Sequence, residues 1–559
     1  MMEKSWIISA GLLVIAGVAA TASQAGIIHP DLGARLQNLL PEDEVSVIVT
    51  LTDQVDLRQF KDRDRKVRRA GINRALRARA EKTQGPLKKF LHNTNVRKFK
   101  PFWIFNGMAV TLRADQVDEL ARRPDVQSVR LDGVLTLPEP SPSQTGTPEW
   151  NLNAINAPAL WELGYTGKGI VIASMDTGVD YLHPDIKPKW RGGSNSWFDP
   201  FEEHPDTPVD NAGEYSGHGT GVMGIIVGGD AGGTAIGVAP DAQWIAVKIF
   251  NDSGEAPYSE IHEGFQWLLD PDGDPDTDDL PDVVNNSWGL PDKLNECFDD
   301  DEPFQFDIQA LKTAGVAVVF SGGNTGGIED SDPKSIPPAN YPESLAVGAV
   351  DEYLIAADFS ARGPSACDDS IFPEIVAPGV NVRSADLTYG TVLNSYRDFS
   401  GTSFAAPHVS GAMALLLQAD PELSVDVLEG LIKDSAADPG NPGPDNTYGY
   451  GMLDVAAAVY NLFDFHSLTI NVTGKGSVSS NPPGIYCPGD CEKELIAGTV
   501  VTLTAVPASG SSFTGWTGDC TGQEKVCEIA VDRVKNVTAG FYSFPWELFI
   551  PIIKEPNHQ

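Results

Sequence analysis

Short, unbroken apolar runs punctuate the middle of the chain: GIVIASMD, AQWIAVKIF, DVVNNSWG, GVAVVFSGG and LAVGAV, all between about Trp150 and Phe463. They are rich in β-branched residues and show no polar face. Such runs suit strands of a parallel sheet buried on both sides, and the helical periodicity between them supplies the covering layers. The pattern predicts an α/β unit over 150–463, with its chemistry in loops beyond the carboxyl ends of the strands. Residues 26–139 read differently: the strand-like EVSVIVTL, a basic helical stretch, then MAVTL, ADQVDELARR and VQSVRL as strand, helix and strand. This is a small α+β unit. A Pro-, Ser- and Thr-rich linker without apolar period covers 140–149. Over 464–543 the chain alternates apolar and polar positions between Gly and Pro turns, which predicts an all-β module. Residues 544–559 form a tail too short to span a membrane and broken by Pro551.

The first 25 residues change the setting. Lys4 precedes WIISAGLLVIAGVAA, which ends at the small residues of TASQA. A charged start, an apolar middle and a small-residue end make a secretory signal, with cleavage expected after Ala25 and Ala22 as the alternative. The competing reading, a retained anchor, fits less well because the run is shorter than the ~20 residues a span needs. The mature chain is expected to be secreted (extracellular), with no membrane span.

Charge sharpens the division. The 559 residues carry 40 Lys+Arg against 77 Asp+Glu, a formal net charge of −37. Phosphate backbones would repel such a chain, so no nucleic-acid partner is expected. Yet the stretch from Asp56 to Lys100 holds 16 Lys+Arg and 4 Asp+Glu, leaving 24 basic and 73 acidic residues elsewhere. A basic segment on an acidic remainder suits docking onto its own chain, and a solvated helix is the alternative. The six cysteines agree with export. Local pairs Cys487–Cys491 and Cys520–Cys527 are favoured, with Cys297–Cys367 by elimination, although spacing alone does not derive connectivity. A zinc site at the late four would need unusual ligand spacings.

Four residues could carry chemistry. Asp176 sits where GIVIASMD runs into a Gly-containing turn, and a carboxylate there needs a partner such as histidine. His218 lies in SGHGTGVMGIIVG, where flanking glycines allow another chain to approach closely. Ser403, in FSGTSFAAPHVSGAMALLL, stands at a helix start whose field favours the anionic states of acyl transfer. Asn324, in VAVVFSGGNTGG, offers an amide to a developing oxyanion. Taken singly, these read as turn residues, an N-cap and a surface histidine. In the order Asp, His, Ser, with Asn between the last two, they match a known triad order.

On DTGVD, GHGTGVMG and GTSFAAPHVSG the sequence resembles the subtilisin-like serine peptidases, or subtilases, over about Trp150–Leu462. WNLNAINAPALWELGYTGKGI, WFDP, DVVNNSWG and FSARGPS are closer still to the bacillopeptidase F branch. The resemblance implies Asp176, His218 and Ser403 as the triad and Asn324 as oxyanion donor. It also implies Ser287, Trp288, Gly289, Ser321, Gly322 and Gly323 along the substrate backbone and first specificity pocket. Residues 26–139 resemble the family's propeptide, an inhibitor and folding aid, and 468–543 an InlB-type β-repeat. Two departures stand out. Gly221 occupies a position where the family commonly has a second His, and Phe404 stands where Met is usual.

The expected function is a secreted serine endopeptidase made as a self-processing zymogen, acting through an acyl-enzyme on protein or peptide substrates. Its other partner would be its own propeptide. A catalytically silent scaffold acting as a binding protein is the alternative. No cofactor is required for this chemistry. A structural Ca²⁺ is a further expectation, because DPDGDPDTDDLPD sets Asp270, Asp272, Asp274, Asp276 and Asp278 at alternate positions. The Gly falls early for an EF-hand and the last carboxylate is missing, so a solvated acidic loop is the competing reading. His183, His204 and His408 have no partner legible in the sequence. Phe513 and Trp516 are expected to fill the β-module's small core.

Overall fold

A computed structural model describes residues 26–61, 64–135, 150–297, 302–326, 334–391, 395–440 and 442–543. The signal segment, the linker over 140–149 and the tail over 544–559 lie outside the described residues. The central unit is built on seven parallel strands in the order Ile375–Pro378, Leu345–Val350, Ala317–Ser321, Val283–Asn286, Val171–Asp176, Gln243–Lys248 and Trp197–Phe198. Helices cover both faces, which is why these strands read as unbroken apolar runs. On one face pack His218–Val227 and Thr402–Ala419, burying Val222, Ile225, Val409 and Leu416. On the other pack Tyr258–Leu268 and Gln305–Thr313, with Ile261, Phe265, Ile308 and Leu311. The fold class is therefore α/β.

The N-terminal unit is a five-stranded sheet in the order Ile27–Ile28, Val126–Leu131, Glu44–Leu51, Gly107–Arg113 and Lys98–Phe102. Helices Arg65–Thr83 and Gly85–Asn93 accompany it. It has a core of its own around Val47, Val49, Leu87, Val110 and Val129. Its opposite surface does not face water. Ile48, Ile72, Leu76, Phe102, Ile104 and Phe105 join the apolar cluster on the 258–268 and 305–313 helices.

Charge completes the docking. Arg65 pairs with Asp282, Arg74 with Asp276 and Arg77 with Asp270, while Arg69 Nη1 lies 2.7 Å from Asp278 Oδ1. Lys100 Nζ reaches both Glu260 and Glu263 at 2.6 Å. Burial acts to lower the Lys100 pKa, but the two glutamates outweigh it and the net shift is upward. The basic stretch is thus a docking surface rather than a solvated helix.

The C-terminal unit is two four-stranded sheets, one holding Phe465–Thr473 and Lys535–Ser543, the other Gly476–Asn481 and Thr499–Pro507. Trp516 is buried between them with Phe513 against its edge at 5.2 Å. Disulfides join Cys297–Cys367, Cys487–Cys491 and Cys520–Cys527. No helix among the described residues is long and apolar enough to cross a membrane.

Candidate active site

Asp176 is the last residue of strand Val171–Asp176, and the chain turns at once through Thr177 and Gly178. Its buried carboxylate accepts through Oδ1 from Thr177 N–H and from His218 Nδ1, each at 2.7 Å. With Nδ1 carrying the hydrogen, Nε2 of the neutral ring is left as an acceptor. His218 opens its helix, and Gly219 permits the contact: a Cβ there would stand 2.2 Å from Gly178 O and 3.1 Å from Asp176 Oδ1. Burial acts to lower the His218 pKa. The charge and hydrogen bond of Asp176 outweigh it, so the imidazole titrates above its ordinary value.

Ser403 stands in the first turn of Thr402–Ala419, with its hydroxyl donating to Ser287 O at 3.2 Å. A buried chain of bonds fixes that pair from below. Ser410 Oγ donates to Asn285 Oδ1, Asn285 Nδ2 to Ser287 Oγ, and Ser287 Oγ to Ser403 O, at 2.9, 2.9 and 2.7 Å. Asn324 follows strand Ala317–Ser321. Its Oδ1 accepts from Thr402 N–H and Oγ1 at 2.9 and 2.8 Å, which dedicates the carboxamide's donors to whatever lies opposite. Ser287, Trp288, Gly289, Ser321, Gly323, Asn324, Thr402 and Ser403 line one cavity. Gly322 does not line it, because its N–H is tied into the sheet through Val347 O at 2.8 Å. The Trp288 ring turns into the core against Phe320 and Phe304, so that residue offers the cavity its backbone.

Aromatic packing links both departures from the family pattern. A Cβ on Gly221 would fall 2.7 Å from the Phe399 ring. Phe399 stacks on Phe404 at 4.5 Å, and Phe404 lies 5.2 Å from the His218 ring. Space that a side chain at 221 would need is filled by the Phe399 ring.

Asp270, Asp272 and Asp279 each offer an oxygen within 4.8 Å of the others. Of the five alternating aspartates only Asp270 and Asp272 fall in that group; Asp274 lies outside it, and Asp276 and Asp278 face Arg74 and Arg69. Asx-type bonds from Asp274 and Asp276 N–H back to Asp272 and Asp274 curl the loop. Arg77 pairs with Asp270 through Oδ2, so with this helix docked the loop serves as an arginine cradle, while Asp270 Oδ1 and Asp279 Oδ1 are buried without a hydrogen-bond partner.

Sequence reasoning also missed partners. His204 Nε2 lies 3.0 Å from Asp252, His408 bonds Asn151 and Phe404 O, and His183 Nε2 donates to Ser395 O. Asp210, buried behind the catalytic candidates, was not singled out, and nothing local in VDNAGEY signals it.

A parallel sheet of this kind, with a buried carboxylate–imidazole pair and a helix-start serine facing an asparagine amide, defines a subtilase. The chain belongs to that family of serine-type endopeptidases and matches the subtilase family over residues 167–451. It also matches peptidase inhibitor I9 over 46–138 and the divergent InlB B-repeat domain over 466–543. Among its relatives, bacillopeptidase F of Bacillus subtilis (strain 168) is 37% identical over 482 residues, 78% of this chain and 32% of that protein. Subtilisin E of the same strain is 31% identical over 359 residues, covering 64% of this chain and 82% of the relative. An alkaline protease of Shouchella clausii is 33% identical over 354 residues, 63% and 78% of the respective chains. The chain thus spans about a third of the length of bacillopeptidase F and most of the subtilisin-type relatives.

Proposed function

We propose that the chain is a secreted endopeptidase made as a self-processing zymogen, with Ser403 as nucleophile, His218 as base and Asp176 as the group that orients the base. The observation that carries this reading is the 2.7 Å bond from His218 Nδ1 to Asp176 in a buried setting, which leaves Nε2 as the proton acceptor. Ser403 would exchange its bond to Ser287 O for one to Nε2, then attack a peptide carbonyl while the imidazole takes its proton. Asn324 Nδ2 and the Ser403 N–H would hold the oxyanion, aided by the positive end of the Thr402–Ala419 helix. His218 returns the proton to the leaving amine, and water releases the acyl group by the same route. Every step is assigned to a group of this chain. A structural Ca²⁺ would be held by Asp270, Asp272 and Asp279, where Asp270 Oδ1 and Asp279 Oδ1 are buried acceptors that no hydrogen bond uses.

Inhibition by the N-terminal unit is supported by β-strand addition: Val134–Leu135 pairs antiparallel with Ala256–Pro257, with Leu135 buried. The test is Ser403→Ala. Casein hydrolysis should vanish, the circular dichroism should stay as in the parent, and 26–139 should remain covalently attached. Normal maturation of the purified variant, with no other protease present, overturns self-processing.

A further inference from the structure

Behind the Asp176–His218 pair lies a third carboxylate, Asp210. It is buried and accepts from Thr177 Oγ1 at 2.8 Å through Oδ1, and from Thr220 N–H and Oγ1 at 2.8 and 2.6 Å through Oδ2. Gly217 N–H is a further donor to it. Thr177 follows Asp176 directly, while Gly217 and Thr220 bracket His218. The two loops are also joined to each other, since Thr177 Oγ1 accepts from Gly219 N–H at 2.9 Å. One side chain therefore grips both halves of the pair, from an extended loop that neither motif includes.

We propose that Asp210 is a positioning residue for this triad: a buried anion at the start of the His218 helix that locks the Asp176 turn to that helix through Thr177 and Thr220, and whose charge supports the imidazolium formed during catalysis. The proposal rests on the triad reading above.

The geometry suits the role. The helix N-terminus favours negative charge, and the donors around Asp210 are aimed at a carboxylate. Burial pushes its pKa up to about 6 against those donors, so it is ionised at neutral pH. Charged groups facing His218 are Asp176 and Asp210, opposed by Arg397. Asp180 approaches only through its backbone N–H, which donates to Thr220 Oγ1 at 2.9 Å.

Two substitutions separate position from charge. Asp210→Asn keeps the shape, leaving its oxygen to accept from Thr220 and its NH2 to donate to Thr177 Oγ1, but removes the charge. The acid limb of kcat/KM should then move to lower pH by about one unit, the Coulombic size of a buried charge at an effective dielectric constant near ~20, with KM nearly unchanged. Asp210→Ala also severs the bridge, and kcat should fall about 10²-fold, the scale of loss for a misplaced catalytic group, again with little change in KM. A readout independent of turnover is the low-field proton NMR signal of His218 Nδ1–H in a Ser403→Ala background. It should titrate at lower pH when Asp210→Asn is added, even if hydrolysis were carried out in another way. An unmoved acid limb and an unmoved NMR titration in folded Asp210→Asn protein would overturn the proposal. If the alanine variant does not fold, the asparagine variant decides alone.

Discussion

Arg69 and Arg74 lie on the same helix and both meet acidic residues of the 270–282 loop, yet removing them should have very different consequences. The Arg69 side chain is 4% exposed. It donates to Asp278 Oδ1 at 2.7 Å and to the carbonyls of Ala314 and Pro281 at 3.2 Å, and stands 3.7 Å from Asp282. Arg69→Ala strands two carbonyls and the partly exposed Asp278 carboxylate, which costs roughly 1–3 kcal/mol, or roughly 5- to 150-fold in affinity. The Arg74–Asp276 pair is 58% and 66% exposed, so its loss should cost about 0–1 kcal/mol, less than about fivefold. The assay is inhibition of the processed enzyme by the 26–139 segment, which has its own core, as parent, Arg69→Ala and Arg74→Ala. Raising salt should slow association of the parent, because its exposed pairs are screened, while most of the Arg69 contribution persists. Equal effects of the two substitutions, or an Arg69→Ala segment that inhibits as well as the parent, would refute the reasoning.

Activity should fall on acidification through a pKa above the ordinary imidazole value near ~6.5. In the proposed mechanism only neutral His218 can accept the Ser403 proton, and Asp176 favours the charged ring; a flat kcat/KM from pH 5 to 8 would contradict the assignment. Gly221→His should abolish soluble protein or activity by driving a side chain into the Phe399 ring, and Phe399→Ala added to it should restore folding, read by thermal melting. Phe404→Met should make hydrolysis peroxide-sensitive while preserving or raising turnover, because a thioether then sits between Phe399 and His218. Equal inactivation of parent and variant would sink that expectation.

Much of this molecule was legible in its sequence, and for a local reason. Strands buried on both faces need unbroken apolar runs, so GIVIASMD and GVAVVFSGG announced a parallel sheet whatever their partners were. Gly219 announced a close approach because no side chain fits between Asp176 and the turn after it. The module core at Trp516 and the pairing of neighbouring cysteines were short-range questions too. What stayed hidden depends on residues far apart in the chain and close in space. Arg69 and Asp278 are 209 positions apart, and no periodicity links them. Alternating aspartates in the acidic loop could not show that several of them meet arginines of a helix contributed from elsewhere. Gly221 and Phe404 looked like separate departures until Phe399 filled the space between them. Asp210 carried no local mark at all, since its importance lies in which two loops converge on it. Local pattern determined the elements and the catalytic candidates; only packing decided what neutralises each buried charge, because desolvation is set by the neighbours a fold supplies and not by neighbours along the chain.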